Sequence, residues 1–254
     1  MADILQNKDF KAPSVFLPEN LLREARRQKN KAECSIPKIC VLDPDGDLAE
    51  HLIQQKMARK NDCWACYHSS LYTFDLNGTE IGIIPCIVGA SYAVLVAEQL
   101  FVSGCELLIS VTSAGIINEP KADKRFALIA QAIRDEGTSY HYLPKDLPAQ
   151  LKSNLLQKLP DNDTWFHAIS WTTDAPYRET QSSINAMQMR QITCVEMEAA
   201  ALYAFAEAKN KNVVCFAHLT NTMAQQEGDF EKGEHSGSLE SLSLISSALH
   251  TLNN

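Results

Sequence analysis

Long apolar runs are missing from this sequence, and basic residues are in the minority. Its 254 residues contain no apolar stretch long enough to cross a membrane, because glycine, serine or glutamate interrupts each run. The 23 basic residues are outnumbered by 31 acidic residues, which gives a formal net charge of −8. Polyanions repel such a chain, so we expect no general affinity for nucleic acid or for an anionic membrane surface. A few local donors can still bind a small anion.

Sequence motifs for the common cofactors are also missing. The chain has no Walker loop, no G-x-G-x-x-G turn, no G-x-S-x-G elbow and no metal-ligand spacing. We therefore expect neither a dinucleotide cofactor nor a metal.

The eight cysteines are mostly isolated in the sequence. Cys63 and Cys66 form a lone C-x-x-C, and a zinc site would need a second pair at workable spacing. The start of the chain, MADILQNKDFKAPSVF, is polar and lacks the apolar segment of a secretory signal. These features predict a cytoplasmic protein with reduced, partly buried thiols, and a redox pair at Cys63 and Cys66 is the alternative.

Strand patterns alternate with helix patterns along the chain, and several strands are continuous apolar runs. This order predicts an α/β fold with a mostly parallel or mixed sheet covered on both faces. We divide the chain into an N-terminal extension, 1–36, with one short amphipathic helix, and a single α/β domain, 37–254. Residues 146–158 have the spacing of a helix, whereas 126–137 fits a strand or a helix equally well.

Polar or small residues stand where six of the predicted strands end. Sites in open α/β sheets collect at the carboxyl ends of strands, so these segments could converge on one cleft, although each alone could be a turn. The segments are 42–47, 88–91, 111–115, 172–179, 195–198 and 219–222.

Two acids stand among apolar and small residues in VEMEAAA, where a strand runs into a helix. Burying charge is costly, so the pair calls for an explanation. At such a junction one carboxylate can face a pocket while the other ties loops together, and a carboxylate can accept from both hydroxyls of a cis-diol such as that of ribose. The competing explanation is stabilisation by the helix dipole, which accounts for one acid better than for both Glu196 and Glu198.

The stretch CVEMEAAALYAFA resembles a motif of the nucleoside phosphorylase family, of the purine nucleoside and uridine phosphorylase type. GIIPCIVGASYAVLVAEQL and LLISVTSAGII resemble neighbouring motifs of that family, while RDEGTSYHYLP and HLTNTMAQQEGD are closer to its uridine branch. The resemblance implies a three-layer α/β/α sandwich around a central mixed sheet. It also implies homo-oligomers built from dimers, with a ribonucleoside and phosphate as substrates.

The resemblance also implies roles for individual residues. Glu198 would bind the ribose hydroxyls, Met197 would pack on the sugar, and Glu196 would support the same loop. Ser113 matches a position at which a hydroxyl and backbone amides hold phosphate, and Asn221 falls where the family handles the base. Further substrate contacts implied by the resemblance are Gly89, Gly115 and His68.

Several family positions are altered in this chain. The family usually holds phosphate with arginines, but the first loop reads LDPDGD, with Leu42 in place of a glycine and Gly46 or Asp47 in place of an arginine. Ser110 stands where a second arginine precedes the small-residue turn, and Thr222 follows the asparagine where uridine phosphorylases place an arginine. Loss of these cations weakens binding of a dianion, because charge-assisted hydrogen bonds are the strong ones.

Two other segments offer partial substitutes. CWACYHSSLY, which in the family can contribute across a dimer interface, offers Tyr67 and His68 but no arginine. Arg178 lies in a loop that the family brings near the base or sugar, so we include it among the catalytic candidates. A surface arginine paired with Asp174 or Glu179 is the competing interpretation.

Three functions are compatible with these observations. The first is phosphorolysis of a ribonucleoside, with a uridine-like substrate favoured and phosphate as the co-substrate. The second is a hydrolytic nucleosidase on the same scaffold, since water needs no cationic site. The third is a non-catalytic nucleoside-binding protein, which the altered phosphate and base positions suggest.

Overall fold

Ten strands form one mixed sheet in the computed structural model, which describes residues 5–120, 124–222 and 232–253. The strands are β1 (Ile39–Asp43), β2 (Ala58–Lys60), β3 (Tyr72–Leu76), β4 (Thr79–Pro85), β5 (Leu107–Ile116), β6 (Phe126–Asp135), β7 (Ala149–Gln150), β8 (Trp165–Thr173), β9 (Cys194–Glu196) and β10 (Asn212–Asn221). The helices are α1 (Pro18–Lys29), α2 (Asp47–Gln54), α3 (Ala90–Val102), α4 (Ser153–Lys158), α5 (Gln181–Met189), α6 (Ala199–Ala208) and α7 (Ser238–Asn253).

The strand order is β10-β6-β8-β9-β5-β1-β4-β3-β2, with β7 beside β6. Parallel pairs such as β1–β5 and β6–β8 alternate with antiparallel pairs such as β5–β9 and β3–β4, so the predicted mixed sheet is confirmed. In addition, β10 pairs with β5, which closes β5, β9, β8, β6 and β10 into a ring. The sequence patterns did not predict this closure.

Helices pack in two groups against the sheet. Helix α3 contacts α1 and α6, while α7 contacts α2 and α4. The apolar cluster between sheet and helices includes the fully buried side chains Trp165, Phe205, Phe216 and Ile83. The three-layer α/β sandwich predicted from the family resemblance is therefore confirmed. Within the described residues, no helix is both long and apolar enough to cross a bilayer.

Most predicted elements are confirmed, and the exceptions have local causes. The predicted helix over 146–158 is wrong in its first half, because Ala149 and Gln150 pair with β6 and only Ser153–Lys158 is helical. Pro148 disfavours a helix there, since proline has no N–H to donate. The open choice over 126–137 is settled as strand β6.

The expectation of reduced thiols is wrong for two cysteines. Cys34 and Cys63, whose Cα atoms are 5.2 Å apart, form a disulfide across a sequence separation of 29 residues. Cys66 remains a free, buried thiol, so the C-x-x-C does not pair internally. The fold brings the segment after α1 beside the loop that follows β2. The pairing depends on this arrangement, so it cannot be deduced from the sequence alone. The cytoplasmic location stays a prediction.

The division into 1–36 and 37–254 also stays a prediction. The short helix expected in the extension is present as α1, and it packs on α3. Its Leu22 and Ala25 are buried together with Ala65.

Tyr203 of α6 bonds to two adjacent strands of the ring. Its hydroxyl donates to the carbonyl of Ile129 at 2.6 Å and accepts from the amide of Cys215 at 3.0 Å. These backbone groups belong to β6 and β10, which pair antiparallel further along. One buried phenol therefore satisfies two backbone groups and fixes α6 on the sheet.

Replacing Tyr203 by phenylalanine is expected to lower the free energy of unfolding by about 1–3 kcal/mol, because a buried N–H and a carbonyl each lose a partner. Urea denaturation of the purified protein measures the change. Tyr177→Phe is the matched control, since Tyr177 is 99% exposed. Equal stability of the two variants would contradict this role of Tyr203.

Candidate active site

A cavity of about 370 Å³ lies at the carboxyl ends of β1, β5, β8, β9 and β10. All six polar segments singled out in the sequence contribute to its wall. The lining residues are Pro44, Asp45, Val88, Thr112, Ser113, Ala114, Gly115, Pro176, Tyr177, Glu179, Val195, Glu196, Met197, Glu198 and Asn221. The volume suits a small organic molecule.

Glu196 is the buried acid whose oxygens are filled by the protein itself. One oxygen accepts from the hydroxyls of Ser170, at 3.0 Å, and Thr172, and the other accepts from the amides of Glu198 and Ala199, both at 2.7 Å. Burial raises the pKa of this carboxyl, and the four hydrogen bonds oppose that rise. Glu196 therefore joins β8, β9 and the start of α6.

Glu198 lies next to it but has a free acceptor. Its Oε1 accepts from the amide of Gly89 at 2.7 Å, whereas its buried Oε2 has no hydrogen-bond partner among the described residues. The Thr112 hydroxyl lies near enough to lower the pKa of Glu198, yet it donates to the Ser113 carbonyl at 3.3 Å. Burial, and next the charge of Glu196, raise the pKa of Glu198 to about 8. A buried, unpaired acceptor on a cavity wall is suited to a ligand that donates.

Gly89 supports this arrangement through its backbone. It precedes α3 with φ of 94°, a value that favours glycine, and no atom lies within 4 Å of where a Cβ would stand. The site therefore selects glycine for its backbone conformation, which directs the amide to Glu198.

The turn expected to hold phosphate is occupied by a carboxylate of the same chain. The amide and hydroxyl of Ser113 donate to Oδ2 of Asp45 at 3.1 and 2.5 Å. Lys232 Nζ lies 3.2 Å from the same oxygen and also bonds to Asp47. Asp45 therefore takes the donors that an anionic substrate would use.

Further carboxylates surround this position. Asp43 accepts from the amides of Gly46 and Ala49, and burial raises its pKa to about 7. Asp43, Asp45 and Asp47 line a cavity of about 20 Å³ beside the larger one.

No group of three or more histidine, cysteine or carboxylate side chains in the described ranges could hold a metal ion. The expected lack of a metal or cofactor stays a prediction.

Asn221 and Met197 both line the cavity, as does Gly115. Asn221 is 9% exposed, and its side chain donates to the Thr220 hydroxyl at 3.1 Å. The register of β10 against β5 shifts between Leu219 and Asn221, so an extra residue precedes Asn221. Such bulges commonly redirect a side chain beside a site.

Two predicted site residues lie elsewhere in this chain. Arg178 is exposed, does not line the cavity, and forms no ion pair with Asp174, Glu179 or any other described residue. The catalytic role of Arg178 stays a prediction. His68 is also exposed and outside the cavity, and its carbonyl accepts from the Tyr92 hydroxyl.

Three residues of this region were missed as site residues in the sequence. Asp45 stands in the first loop, in which the sequence draws attention to the missing arginine and not to the aspartate. Lys232 is far from Asp45 in the sequence, so no local pattern links the two. Glu179 was considered only as a partner for Arg178, yet it lines the cavity with no side-chain hydrogen bond or ion pair among the described residues. Burial raises its pKa to about 7.

Similar solved structures show the fold. A uridine phosphorylase from Vibrio fischeri ES114, complexed with 6-hydroxy-1-naphthoic acid, superposes with a TM-score of 0.70 at 19% identity, covering 86% of this chain and 91% of that one. Another structure of uridine phosphorylase from the same organism gives a TM-score of 0.67 at 20% identity, covering 86% of this chain and 92% of the other.

Curated relatives match over shorter stretches. A guanosine phosphorylase of Halorubrum lacusprofundi is 26% identical over 138 residues, which is 52% of this chain and 57% of the relative. Protein R802 of Acanthamoeba polyphaga mimivirus, which is uncharacterised, is 26% identical over 145 residues, or 57% of this chain and 58% of the relative. The chain thus spans less than two thirds of either relative. The family model of the phosphorylase superfamily matches residues 38–248, and the chain therefore belongs to this superfamily.

Proposed function

We propose that this chain cleaves the N-glycosidic bond of a ribonucleoside, with Glu198 binding the 2′ and 3′ hydroxyls. The observation that carries the proposal is the buried Oε2 of Glu198, which has no hydrogen-bond partner among the described residues and belongs to a side chain that lines the cavity. Hydroxyl donors of a cis-diol would satisfy that oxygen, and Met197 beside it offers an apolar surface to the sugar. Family membership supports the same reaction class.

The strand order gives the cavity a direction. Asp45 follows β1, Ser113 lies on β5, Glu198 follows β9, and Glu179 lies in the loop after β8, and these strands neighbour one another in the order β1-β5-β9-β8. A ribose at Glu198 would place its attacking group near Ser113 and its base near Asn221 and the loop 176–179. This orientation is part of the proposal.

Phosphate is the proposed attacking group in the first candidate mechanism. Its oxygen would bond to the anomeric carbon while the bond to the base breaks, through an oxocarbenium-like state. The cavity would act by positioning and by stabilising charge, with no covalent enzyme intermediate. Asp45 would have to leave Ser113 before phosphate could use the amide and hydroxyl there.

The contact between Asp45 and Ser113 favours a second candidate, hydrolysis. A dianion placed beside Asp43, Asp45 and Asp47 would be repelled, whereas a water molecule would not. Water could attack the anomeric carbon and give its proton to Asp45, which would yield free ribose and the base.

A uridine-like base is the finer part of the proposal. The likeness of RDEGTSYHYLP and HLTNTMAQQEGD to the uridine branch supports it, although residues 223–229 of the second segment lie outside the described ranges. The guanosine phosphorylase relative supports a purine instead.

A screen of nucleosides with and without phosphate, with products identified, tests the reaction and the base together. Binding without turnover would favour the non-catalytic alternative.

We also propose a homo-oligomer in which the segment 63–72 of one subunit approaches the cavity of another. The exposure of Tyr67 and His68 outside their own cavity supports this arrangement. Sedimentation of the purified protein measures the assembly.

Glu198→Gln is expected to remove the preference for ribonucleosides over 2′-deoxyribonucleosides. The amide is uncharged and has a single acceptor oxygen, which must serve either the Gly89 N–H or the sugar hydroxyls, whereas each charge-assisted hydrogen bond contributes about 1.5–3 kcal/mol. The ratio of kcat/KM for the two sugar types should therefore fall at least about tenfold. Glu207→Gln, an exposed change on the same helix, is the control, and an unchanged ratio in Glu198→Gln would rule out the diol contact.

Asp45→Ala is expected to raise the ratio of ribose 1-phosphate to free ribose at least about tenfold when phosphate is present. The change frees the Ser113 donors for phosphate and removes the proposed base for water, which is a step of about 100-fold in general-base catalysis. Chromatography of the products measures the ratio. Asp163→Ala, at an exposed acid away from the cavity, controls for the loss of charge. A ratio that stays at the wild-type value contradicts the role of Asp45.

A further inference from the structure

Four carboxylates line the cavity, and three of them are committed to other contacts. Glu196 accepts four hydrogen bonds from the protein. Asp45 binds Ser113 and Lys232. Glu198 is bound by Gly89 on one oxygen and, in the proposed function, by the sugar on the other. Glu179 alone has a side chain with no hydrogen bond or ion pair in the described part of the chain.

We propose that Glu179 is the general acid that protonates the departing base. This inference rests on the proposed cleavage of a ribonucleoside and adds a catalytic residue to it. Glu179 lies on the loop after β8 and lines the same cavity as Glu198 and Asp45, and β9, which leads to Glu198, lies between β8 and β5 in the sheet. In the proposed orientation, a base attached to a ribose at Glu198 would reach the loop after β8.

The reaction needs a proton at the base. As the bond between the anomeric carbon and the base nitrogen breaks, its electron pair passes to the base. The carboxyl of Glu179 gives its proton to a ring nitrogen or carbonyl oxygen of the base and becomes a carboxylate. Phosphate or water bonds to the anomeric carbon, and Glu179 regains a proton from solvent after the base leaves.

Other side chains are poor alternatives for that proton. Asn221 can donate a hydrogen bond but cannot give up a proton at neutral pH. Arg178 follows Tyr177 on the same loop but does not line the cavity. No lysine or arginine lines the cavity within the described residues, so no cation is placed there to stabilise an anionic base.

The ionisation of Glu179 suits the role. The side chain is about half buried and has no partner to stabilise its charge, so burial alone raises its pKa to about 7. A general acid is most effective when its pKa is close to the working pH. A solvated glutamate would be almost fully ionised at that pH and could not serve.

The test compares Glu179→Gln with wild type on two kinds of substrate. One is an ordinary ribonucleoside that the wild type cleaves, and the other is p-nitrophenyl β-D-riboside, whose leaving group departs as a stable phenolate and needs no proton. General acid catalysis contributes about 100-fold or more. We expect Glu179→Gln to lose about 100-fold in kcat/KM on the nucleoside and less than about threefold on the riboside. Glu179→Asp, which keeps an acid, should recover part of the nucleoside activity, and Glu207→Gln is the matched control.

The pH profile gives an independent readout. Glu179 must be protonated, so the loss of its proton as the pH rises lowers nucleoside cleavage. Glu198 must be ionised, so the loss of its proton around pH 8 raises nucleoside cleavage. With pKa values of about 7 for Glu179 and about 8 for Glu198, wild-type kcat/KM should form a bell between pH 7 and pH 8. Glu179→Gln should lose the descending limb.

Each remaining outcome decides the matter. Equal loss on both substrates means that Glu179 has a structural or positioning role, which overturns the inference, and so does the absence of loss on the nucleoside. If the wild type cleaves both the riboside and the nucleosides, and Glu179→Gln keeps the wild-type pH profile, the proposed function stands and Glu179 is not the general acid. A wild-type protein inactive on both substrates overturns the proposed function and this inference together.

Discussion

The four hydrogen bonds to Glu196 are the interaction on which the rest of the site depends. They come from two hydroxyls of β8 and from the two amides at the start of α6, so one carboxylate joins three elements at one point. Burying a carboxylate costs less when its oxygens accept hydrogen bonds, as both oxygens of Glu196 do. Because one donor is the amide of Glu198 itself, the same bonds fix where the next acid begins. The orientation of Glu198 thus follows from Glu196.

The charge pattern of the cavity is the reverse of what an anion site needs. Four carboxylates and no lysine or arginine line it among the described residues, and Lys232 binds Asp45 and Asp47. The missing family arginines and the presence of Asp45 at Ser113 are consistent with each other, because an internal carboxylate already satisfies the anion-binding turn. A ligand that brings its own hydroxyl and N–H donors fits these walls better than one that brings only negative charge.

Local patterns predicted much of this fold. The Asn77-Gly78 pair adopts positive φ at both residues and joins β3 to β4, as its type of turn requires. The six polar strand ends do meet at one cavity, because β9, which runs antiparallel to β5 and parallel to β8, pairs only with the last residues of β5. Closure of the ring through β10 and β5, the Cys34–Cys63 disulfide and the contact between Asp45 and Ser113 all join residues far apart in the chain. No periodicity or spacing carries that information.

The site residues differ in how far the sequence could reach them. Glu196 and Glu198 stand out because acids are rare between a buried strand and a buried helix, and local pattern alone suggests that they face different ways. Glu179 has no such contrast, since it follows an arginine in a polar loop. Only the fold shows that Glu179 lines the cavity whereas Arg178 does not. The pKa of Glu179 is raised by burial alone, whereas that of Glu198 is raised also by a neighbouring charge, so different causes raise the pKa values of two acids in one cavity. In the proposed reaction, this difference would allow one acid to hold a proton at the base while the other accepts hydroxyls from the sugar.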